Sequence, residues 1–296
     1  MRTREYYMTQ ALAHIVCGIV ALLAVLPFIL LIIASFTEES VAIANGYSYF
    51  PEKWSLEAYI YMKSHIKTIG TSYLMSIAVT ATGVIGSLIL TTLYAYAISQ
   101  DGIPGMGVIR FLLFFTMMFG GGLVSYYYVI VKFYHLLNTF WVQVFPGLMG
   151  AFNVILMRNY IRTSIPENLV EAARLDGAGE FCIFSKVVMP LSLPITATIG
   201  IFVGLGYWNN WTNGLYFLRG KEGAKYYTLQ NILQNMNLNI EQLRSAGEAL
   251  IGMEVSFPST TIRMSLAVIG VVPVLVLYPF FQKYFVKGIT LGGIKE

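Results

Sequence analysis

Long apolar stretches without any charged residue alternate along the chain with connections that hold every charge. Each stretch matches or exceeds the roughly 17 to 25 residues that a helix needs to cross the hydrocarbon core of a bilayer. Because lipid offers no partner for backbone N–H and C=O groups, a run of this length pairs them only as a helix. The pattern predicts an all-α, polytopic transmembrane helical bundle with six spans. The stretches are 11–36, 70–98, 111–131, 140–157, 191–217 and 264–282.

Composition supports a membrane protein. Only 11% of the 296 residues are charged and 56% are hydrophobic, whereas a soluble domain has about 25% charged residues. The net charge of +4 suits anionic headgroups, and the basic residues form no stripe typical of nucleic-acid binding. Lys and Arg are nearly balanced between the two sides of the predicted bundle, so they do not decide its orientation. Cys17 and Cys182 are not expected to form a disulfide.

The connection between the fourth and fifth stretches carries helix signals of its own. Ser164 followed by Glu167 predicts a capping box, and Pro166 fits a first helical turn, where a missing N–H donor is tolerated. Gly177 supplies a left-handed stop. A short helix is therefore expected at about 165–176.

A second short helix is expected to follow the first, from about 179 to 188, with Pro190 opening the fifth span. On the first helix, Leu169, Ala172 and Ala173 fall at helical spacing and form a face of mostly small residues. A polar helix-turn-helix held between two membrane helices would project rigidly, as a mechanical lever must.

This connection resembles a known pattern. Glu171-Ala172-Ala173, followed by Gly177 and later by Val187-Val188-Met189-Pro190, is similar to the EAA motif of ATP-binding-cassette (ABC) importer permeases. The family usually has Ile and Leu where this chain has Val187 and Met189, and both changes keep the side chain apolar. The runs PSTTIRMSLAVIG and YPFFQKYFVKGITLGGIKE also resemble carbohydrate-uptake permeases of the maltose and oligosaccharide type.

The resemblance implies an ABC type I importer permease fold in a single transmembrane domain, 1–296. It implies a cytoplasmic coupling loop at 158–190 that docks on an ATPase, and an extracytoplasmic loop at 218–263 that receives a solute-binding protein. The tail at 283–296 is expected to lie against the ATPases. The location implied is the bacterial inner (cytoplasmic) membrane, in which the chain is multi-pass with both termini cytoplasmic.

The implied partners are a second, homologous permease subunit that completes a heterodimer, two ATP-binding-cassette ATPase subunits, a solute-binding protein and an oligosaccharide. Within the coupling loop, Glu171 is expected to pair with the ATPase and Gly177 to form the turn. Ala172 and Ala173 would make close contact. Two further coupling candidates, which a solvated surface would equally explain, are Arg174 and Asp176.

The chain lacks an energy source of its own. The glycines from Gly214 to Gly220 have the wrong spacing for a Walker loop, and Lys221 is followed by Glu222 instead of Ser or Thr. ATP and Mg are therefore expected in the partner ATPase subunits, with no cofactor, metal site or catalytic residue in this chain. No span contains an ionisable relay, which disfavours a proton- or sodium-coupled carrier.

Two other functions are compatible with a polytopic membrane chain. A membrane-embedded glycosyltransferase would need clustered acidic residues for metal and base chemistry, but the only aspartates, Asp101 and Asp176, lie in different connections. A passive solute channel is the second alternative, and uptake without ATP would favour it. Which sugar is carried, and whether it is neutral or acidic, is left open by the sequence.

Polar and aromatic residues inside the stretches suggest a substrate path. A mixture of aromatic faces and amides suits sugars, although an outer aromatic belt with amides that pair neighbouring helices would explain it equally. Three glycines, 120–122, invite a kink or a break in the third stretch, with close helix packing as the alternative. Gln143 is expected to reach the interface. The path candidates are Trp208, Asn209, Trp211, Asn213, Gly121, Tyr126 and Asn153.

Overall fold

The computed structural model describes residues 4–236, 238 and 260–291. Within these residues the secondary structure is helical, apart from an isolated antiparallel bridge between Thr37 and Trp54, so the predicted all-α class is confirmed. The first helices are α1 (Arg4–Ser35), α2 (Glu39–Asn45), α3 (Glu57–Ser64), α4 (Ile66–Ser99), α5 (Met106–Met118) and α6 (Gly122–Tyr128), which a π-helical turn (Val129–Phe133) extends. Next come α7 (Trp141–Val144), a 3-10 turn (Phe145–Gly147), α8 (Ala151–Ser164), α9 (Glu167–Leu175), α10 (Glu180–Ile183), a second π-helical turn (Phe184–Val188) and α11 (Met189–Leu191). The remaining helices are α12 (Leu193–Trp208), α13 (Thr212–Phe217), α14 (Gly220–Ala224), α15 (229–236) and α16 (Thr260–Leu291).

The chain divides into two compact units. The first comprises Met1–Ile69 and Leu233–Pro273, and the second comprises Gly70–Ile232 and Val274–Glu296. The coupling candidates and the substrate-path candidates all fall within the second unit.

Among the described residues, two uninterrupted helices are long and apolar enough to span a membrane. They are Tyr6–Ser35 and Ile66–Ser99, which confirms the helices predicted from the first two stretches. The most apolar part of the first helix has none of its residues buried within the chain. Its outward surface is therefore available to lipid or to another subunit.

The third and fifth stretches are bent. Met106–Met118 and Gly122–Phe133 meet at 119°, and Glu180–Leu191 and Leu193–Trp208 meet at 78°. The break predicted at the three glycines is confirmed, because Gly122 has a φ of 75°, in the left-handed region that favours glycine. Two to four candidate spans result by length and composition, depending on whether each bent pair is counted as one, so the predicted six is not established by these helices.

The fourth stretch does not form one uninterrupted helix. Its first part is α7 with the 3-10 turn, and α8 begins only at Ala151. Pro146 follows the start of the 3-10 turn, and a proline lacks the N–H that would continue an α-helix. Pro190 does not open the fifth span as expected: it lies inside α11, and α12 begins at Leu193 with Pro194 in its first turn.

In the first unit, an acidic side chain caps α16. The backbone N–H groups of Thr260 and Thr261 donate to the two carboxylate oxygens of Glu39, at 2.8 and 2.9 Å. A carboxylate at a helix N-terminus accepts the free N–H groups and complements the positive end of the helix dipole. The hydroxyl of Ser265 also donates to the backbone oxygen of Ser35, at 3.2 Å. These bonds join the C-terminal end of α1 and the start of α2 to α16.

The core of the second unit lies where α8 packs against α5 and α12. It contains fully or almost fully buried apolar side chains from several helices, among them Val79, Ala95, Val154, Met157 and Ile199. This core supports one end of the connection that carries the coupling candidates.

Candidate functional site

The predicted short helix of the coupling segment is α9, and its start differs from the prediction. Ser164 is the last residue of α8, and no side chain caps α9, whose N-cap is Pro166. The predicted capping box is therefore wrong. Because α8 remains helical through Ser164, the hydroxyl is separated from α9 by Ile165 and Pro166, which are both extended.

The end of α9 follows the prediction. Gly177 has a φ of 82° and lies directly after the C-cap residue Asp176. Its N–H donates to the backbone oxygen of Arg174, and the N–H of Ala178 donates to that of Ala173, both at 3.0 Å. This pair of bonds is the Schellman motif, which needs a left-handed residue at the position of Gly177. The glycine thus fixes the angle at which the chain leaves α9.

One face of α9 packs against the body of the second unit. The side chains of Val170 and Ala173 contact the hydrophobic core, as does Ala178 beyond the turn. The small alanines allow a close approach between α9 and the core. Ala173, expected to contact the ATPase, therefore makes its described contacts within the chain.

The opposite face of the segment is exposed. Leu175 has 90% of its surface accessible and Phe181 has 77%, although both are large and apolar. Glu171, Ala172 and Asp176 are exposed beside them. The segment therefore presents two carboxylates, an alanine and two apolar side chains outward on a short helix-turn-helix. Sequence reasoning missed Leu175 and Phe181, because exposure cannot be read from residue type.

Arg174 is engaged inside the chain. Its Nε donates to Oε1 of Glu180 at 3.0 Å, and its Nη2 donates to the side-chain oxygen of Gln100 at 2.7 Å. The hydroxyl of Tyr96 donates to the other oxygen of Glu180 at 2.6 Å. The hydrogen bond to Glu180 raises the pKa of the Arg174 guanidinium, which stays charged at every physiological pH. We call these four side chains the brace.

Beside the brace, the C-terminal end of α4 is capped by arginines. Nε of Arg110 and Nε of Arg158 both donate to the backbone oxygen of Ile98, at 2.9 and 3.2 Å. Arg162 forms an ion pair of 2.7 Å with Asp101. Guanidinium groups satisfy the free carbonyl groups at a helix C-terminus and complement its negative dipole. The end of α4 is therefore held by α5 and α8.

The substrate-path candidates fall into different environments. Trp208 is only 8% exposed and packs edge-on against Tyr73, with ring centroids 5.8 Å apart. Asn209 and Trp211 lie in the interruption between α12 and α13 and are exposed. Asn153 lies in the first turn of α8 and is half-buried. Of these four residues, Asn209 and Trp211 are the ones open to a ligand from the chain surface.

Two candidates from different stretches come together. The hydroxyl of Tyr126 lies 3.4 Å from the side-chain oxygen of Asn213, and the backbone N–H of Asn213 donates to the side chain of Asn210 at 3.1 Å. Gly121 immediately precedes α6, which carries Tyr126. The structure thus joins part of the third stretch to part of the fifth.

A buried amide cluster behind these candidates was missed by sequence reasoning. The side-chain oxygen of Asn231 accepts hydrogen bonds from Gln143 at 2.8 Å and from the hydroxyl of Thr228 at 2.9 Å. Its side-chain nitrogen donates to the backbone oxygen of Trp211 at 2.8 Å. A Cβ atom on Gly214 would lie 2.1 Å from that nitrogen, so the glycine makes room for it.

Gln143 does not reach the interface as expected. It is 1% exposed, because its amide is satisfied inside the chain by Asn231 and by the backbone oxygen of Tyr226. A polar side chain in an uncharged stretch does signal a buried partner. Nothing in the sequence identifies Asn231 as that partner, since it lies 88 residues further along the chain.

A tyrosine ring is clamped near the same region. Cβ atoms on Gly83 and Gly147 would lie 2.4 and 2.9 Å from carbon atoms of the Tyr207 ring. The hydroxyl of Tyr207 donates to the backbone oxygen of Val144 at 2.7 Å. Two glycines therefore form a slot that joins α4, the 3-10 turn and α12 through one ring.

The described residues contain no group of three or more His, Cys, Asp and Glu side chains that could hold a metal ion. The chemistry that the arrangement offers is recognition by aromatic faces and amides, together with an outward contact surface on the coupling segment. Apolar helices with a short exposed helix-turn-helix between two of them define a membrane transport component.

Comparison with known proteins specifies the class. Residues 102–291 match the family of binding-protein-dependent transport system inner membrane components, and the chain belongs to this family. It is thus an ABC transport permease of the inner membrane, not an enzyme. The predicted family is confirmed, and neither a glycosyltransferase nor a passive channel is supported.

Relatives and a solved structure agree with this assignment. The chain is 36% identical to the polygalacturonan/rhamnogalacturonan transport system permease protein YtcP of Bacillus subtilis, over 93% of this chain and 94% of that protein. It is 31% identical to the protein LplC of the same organism, over 94% and 92% of the two chains. A chain of a bacterial ABC transporter involved in the import of the acidic polysaccharide alginate matches with a TM-score of 0.77 and 30% identity, over 96% of this chain and 99% of that one.

Proposed function

We propose that the chain is one of two permease subunits of an ATP-driven importer that carries oligosaccharides delivered by a solute-binding protein. The observation that carries this proposal is the coupling segment, in which α9 is fixed by a left-handed glycine and directs Glu171 and Leu175 outward. A second, homologous permease, two ABC ATPase subunits and the binding protein complete the importer.

The topology proposed has six spans and both termini in the cytoplasm. The bent pair Met106–Met118 and Gly122–Phe133 then crosses the bilayer as one span. Helix α12 forms the fifth span, and the interrupted fourth stretch and α16 supply the remaining two. The segment 158–190 is cytoplasmic, and 218–263 lies on the opposite side. Residues 237 and 239–259 of the latter loop, and 292–296 of the proposed cytoplasmic tail 283–296, lie outside the described residues. Within that loop, residues 229–236 are helical.

The exposed face of the coupling segment is the proposed contact with an ATPase. Leu175 and Phe181 are apolar side chains that a groove on a partner would bury, and such exposed apolar groups mark interaction surfaces. Glu171 and Ala172 lie on the same outward side of the segment. In this arrangement ATP and Mg are bound by the ATPase subunits, and their closure moves the coupling segment.

The proposed cargo is an oligosaccharide, on the strength of the relatives. Their names include polygalacturonan and rhamnogalacturonan and arabinooligosaccharides, and the matched structure imports alginate. Asn209, Trp211 and Tyr126 are exposed and offer the amide and aromatic faces that sugar hydroxyls and C–H groups need, whereas Asn213 is buried behind them. Uptake of a panel of four test sugars distinguishes acidic from neutral cargo. Trigalacturonate and trimannuronate are acidic, whereas arabinotriose and raffinose are neutral.

The test uses the whole importer, assembled from its own subunits in proteoliposomes with ATP inside. ATPase activity is measured with and without each panel sugar on the binding protein, together with sugar uptake. In Glu171→Arg, reversal of the charge should reduce stimulation by about tenfold, because like charges at an interface cost several kcal/mol. Glu167→Arg makes the same charge change one turn earlier in α9 and should retain most of the stimulation.

Membrane insertion of both variants, followed by immunoblot, should equal that of the wild type. Wild-type stimulation of ATPase activity in Glu171→Arg would contradict a coupling role for this residue. Sugar flux through the wild-type chain in liposomes without ATP would contradict an ATP-driven importer altogether.

A further inference from the structure

The brace links the coupling segment to a membrane helix by a second route besides the chain itself. Tyr96 belongs to α4 and Gln100 directly follows it, whereas Arg174 belongs to α9 and Glu180 begins α10. The Glu180 carboxylate uses one oxygen for Tyr96 and the other for Arg174, at 2.6 and 3.0 Å. Helix α4 therefore meets α9 and α10, which follow each other closely but lie far from α4 in sequence, at one carboxylate.

Arginine suits this position because its guanidinium is a rigid, planar fork with several donors. Arg174 uses two of them in different directions, one toward Glu180 and one toward Gln100. In the described part of the chain, no other salt bridge involves a residue of α9. The remaining contacts of α9 with the body are apolar, through Val170 and Ala173, and apolar contacts set no direction.

Folding stability does not account for the brace. The side chains of Arg174 and Glu180 are 43% and 59% exposed, and exposed ion pairs contribute little to stability. Tyr96, by contrast, is 8% exposed, so the carboxylate is tied to a buried group of α4. The hydrogen bonds of Glu180 thus fix the position of α10, and through Arg174 that of α9, relative to α4.

At its other end, α4 contacts the region of the path candidates. The hydroxyl of Ser76 accepts the backbone N–H of Leu229 at 2.9 Å, close to the amide cluster of Asn231, and Gly83 contacts the Tyr207 ring. Ser76 and Tyr96 are about 30 Å apart along this one helix, at 1.5 Å per residue. A shift applied at Tyr96 therefore reaches Ser76 through a single rigid element.

We propose that Tyr96, Gln100, Arg174 and Glu180 are positioning residues that transmit the movement of the coupling segment to α4 and thereby to the sugar path. This inference rests on the proposed function and adds the route of transmission. ATPase docking belongs to the outward face of the segment, with Glu171 and Leu175, whereas the brace lies between the segment and the body. Loss of the brace should therefore leave docking intact and disconnect it from transport.

The experiment measures sugar molecules taken up per ATP hydrolysed, in the reconstituted importer with the panel sugar that the wild type takes up fastest. In Tyr96→Phe and Glu180→Gln, binding-protein-stimulated ATPase activity should stay near the wild-type rate. Uptake per ATP should fall by about fivefold or more, the lower range of allosteric coupling. Arg174→Lys, which keeps the charge but not the fork, should also lose uptake per ATP.

The matched control is Arg162→Gln. It removes an arginine of similar exposure, 41% against 43% for Arg174, from an ion pair on α8 without touching α9, and should keep the wild-type ratio. Because a misfolded fraction lowers ATPase activity and uptake together, the ratio separates positioning from simple loss of protein.

A wild-type ratio in both Tyr96→Phe and Glu180→Gln would overturn the brace while the proposed function stands. An equal fall of uptake per ATP in Arg162→Gln would also overturn the proposal, because the loss of any ion pair near the end of α4 would then have the same effect as the loss of the brace. If the wild-type importer shows no stimulation by loaded binding protein, the proposed function fails and the brace fails with it.

Discussion

Several glycines in this chain are important because the side chain they lack leaves room for the side chain of a neighbouring helix. The ring of Tyr207 fits between Gly83 and Gly147, and the amide of Asn231 fits against Gly214. In a membrane, where helices gain no hydrophobic driving force from water, small residues that allow close approach supply much of the packing. A glycine in these helices is therefore informative only when its neighbour is known.

Gly83→Ala should destabilise the protein, since the added Cβ would lie 2.4 Å from the Tyr207 ring. Overpacking costs about 1–3 kcal/mol, against a gain of up to about 1 kcal/mol from the better helix propensity of alanine. Gly206→Ala is the control, because nothing lies within 4 Å of its Cβ position. Thermal unfolding of the purified complex should show a lower midpoint for the first variant only. An equal midpoint for both variants would contradict the slot.

At the scale of the helical elements, the coupling segment owes its shape to the backbone more than to side-chain caps. The sequence indicated α9 and its glycine stop correctly because only a left-handed residue completes the Schellman motif. It misplaced the start, because the hydroxyl of Ser164 is a useful cap only if α8 has already ended. The brace was not predictable, since Tyr96 and Glu180 are 84 residues apart.

Gly177→Ala should weaken coupling, whereas Gly179→Ala should not. Gly177 has a φ of 82°, where a Cβ atom costs about 1–2 kcal/mol. Gly179 has a φ of −71°, which alanine adopts freely. Stimulation of ATPase activity by loaded binding protein should fall by about fivefold or more in the first variant. Equal stimulation in the two variants would show that the angle after α9 is unimportant.

For the whole molecule, the pattern of charges predicted helices correctly but not their continuity. The stretches that contain Gly120–Gly122, Pro146 and Pro194 are bent or interrupted in the structure. Hydropathy reports that a segment is apolar, whereas bends depend on local backbone geometry and on partners that accept the freed hydrogen bonds. Fold class and family could therefore be predicted, but the amide cluster, the brace and the tyrosine slot could not.

The proposed topology places Leu175 and Glu222 on opposite sides of the membrane. Both residues are exposed, so a cysteine at either position should react with a membrane-impermeant maleimide that reaches its side. With Cys17 and Cys182 replaced by alanine, and with the permeases expressed without the ATPases that would cover Leu175, Glu222→Cys should be labelled in intact cells and Leu175→Cys only after the membrane is opened. Labelling of Leu175→Cys in intact cells would reverse the orientation.

The π-helical turn at Phe184–Val188 determines where the chain can lose one residue without rotating the helices on either side. Each residue of an α-helix advances the winding by about 100°, and a π turn accommodates one more residue in a wider coil. Deletion of one residue there would convert the π turn into an ordinary α-helical turn. The helices before and after it would keep their rotation relative to each other, so α9 would still point in the same direction relative to α12. A loss within α12 would instead turn the preceding helices by about a quarter turn, so a one-residue deletion should be tolerated better at 184–188 than within α12.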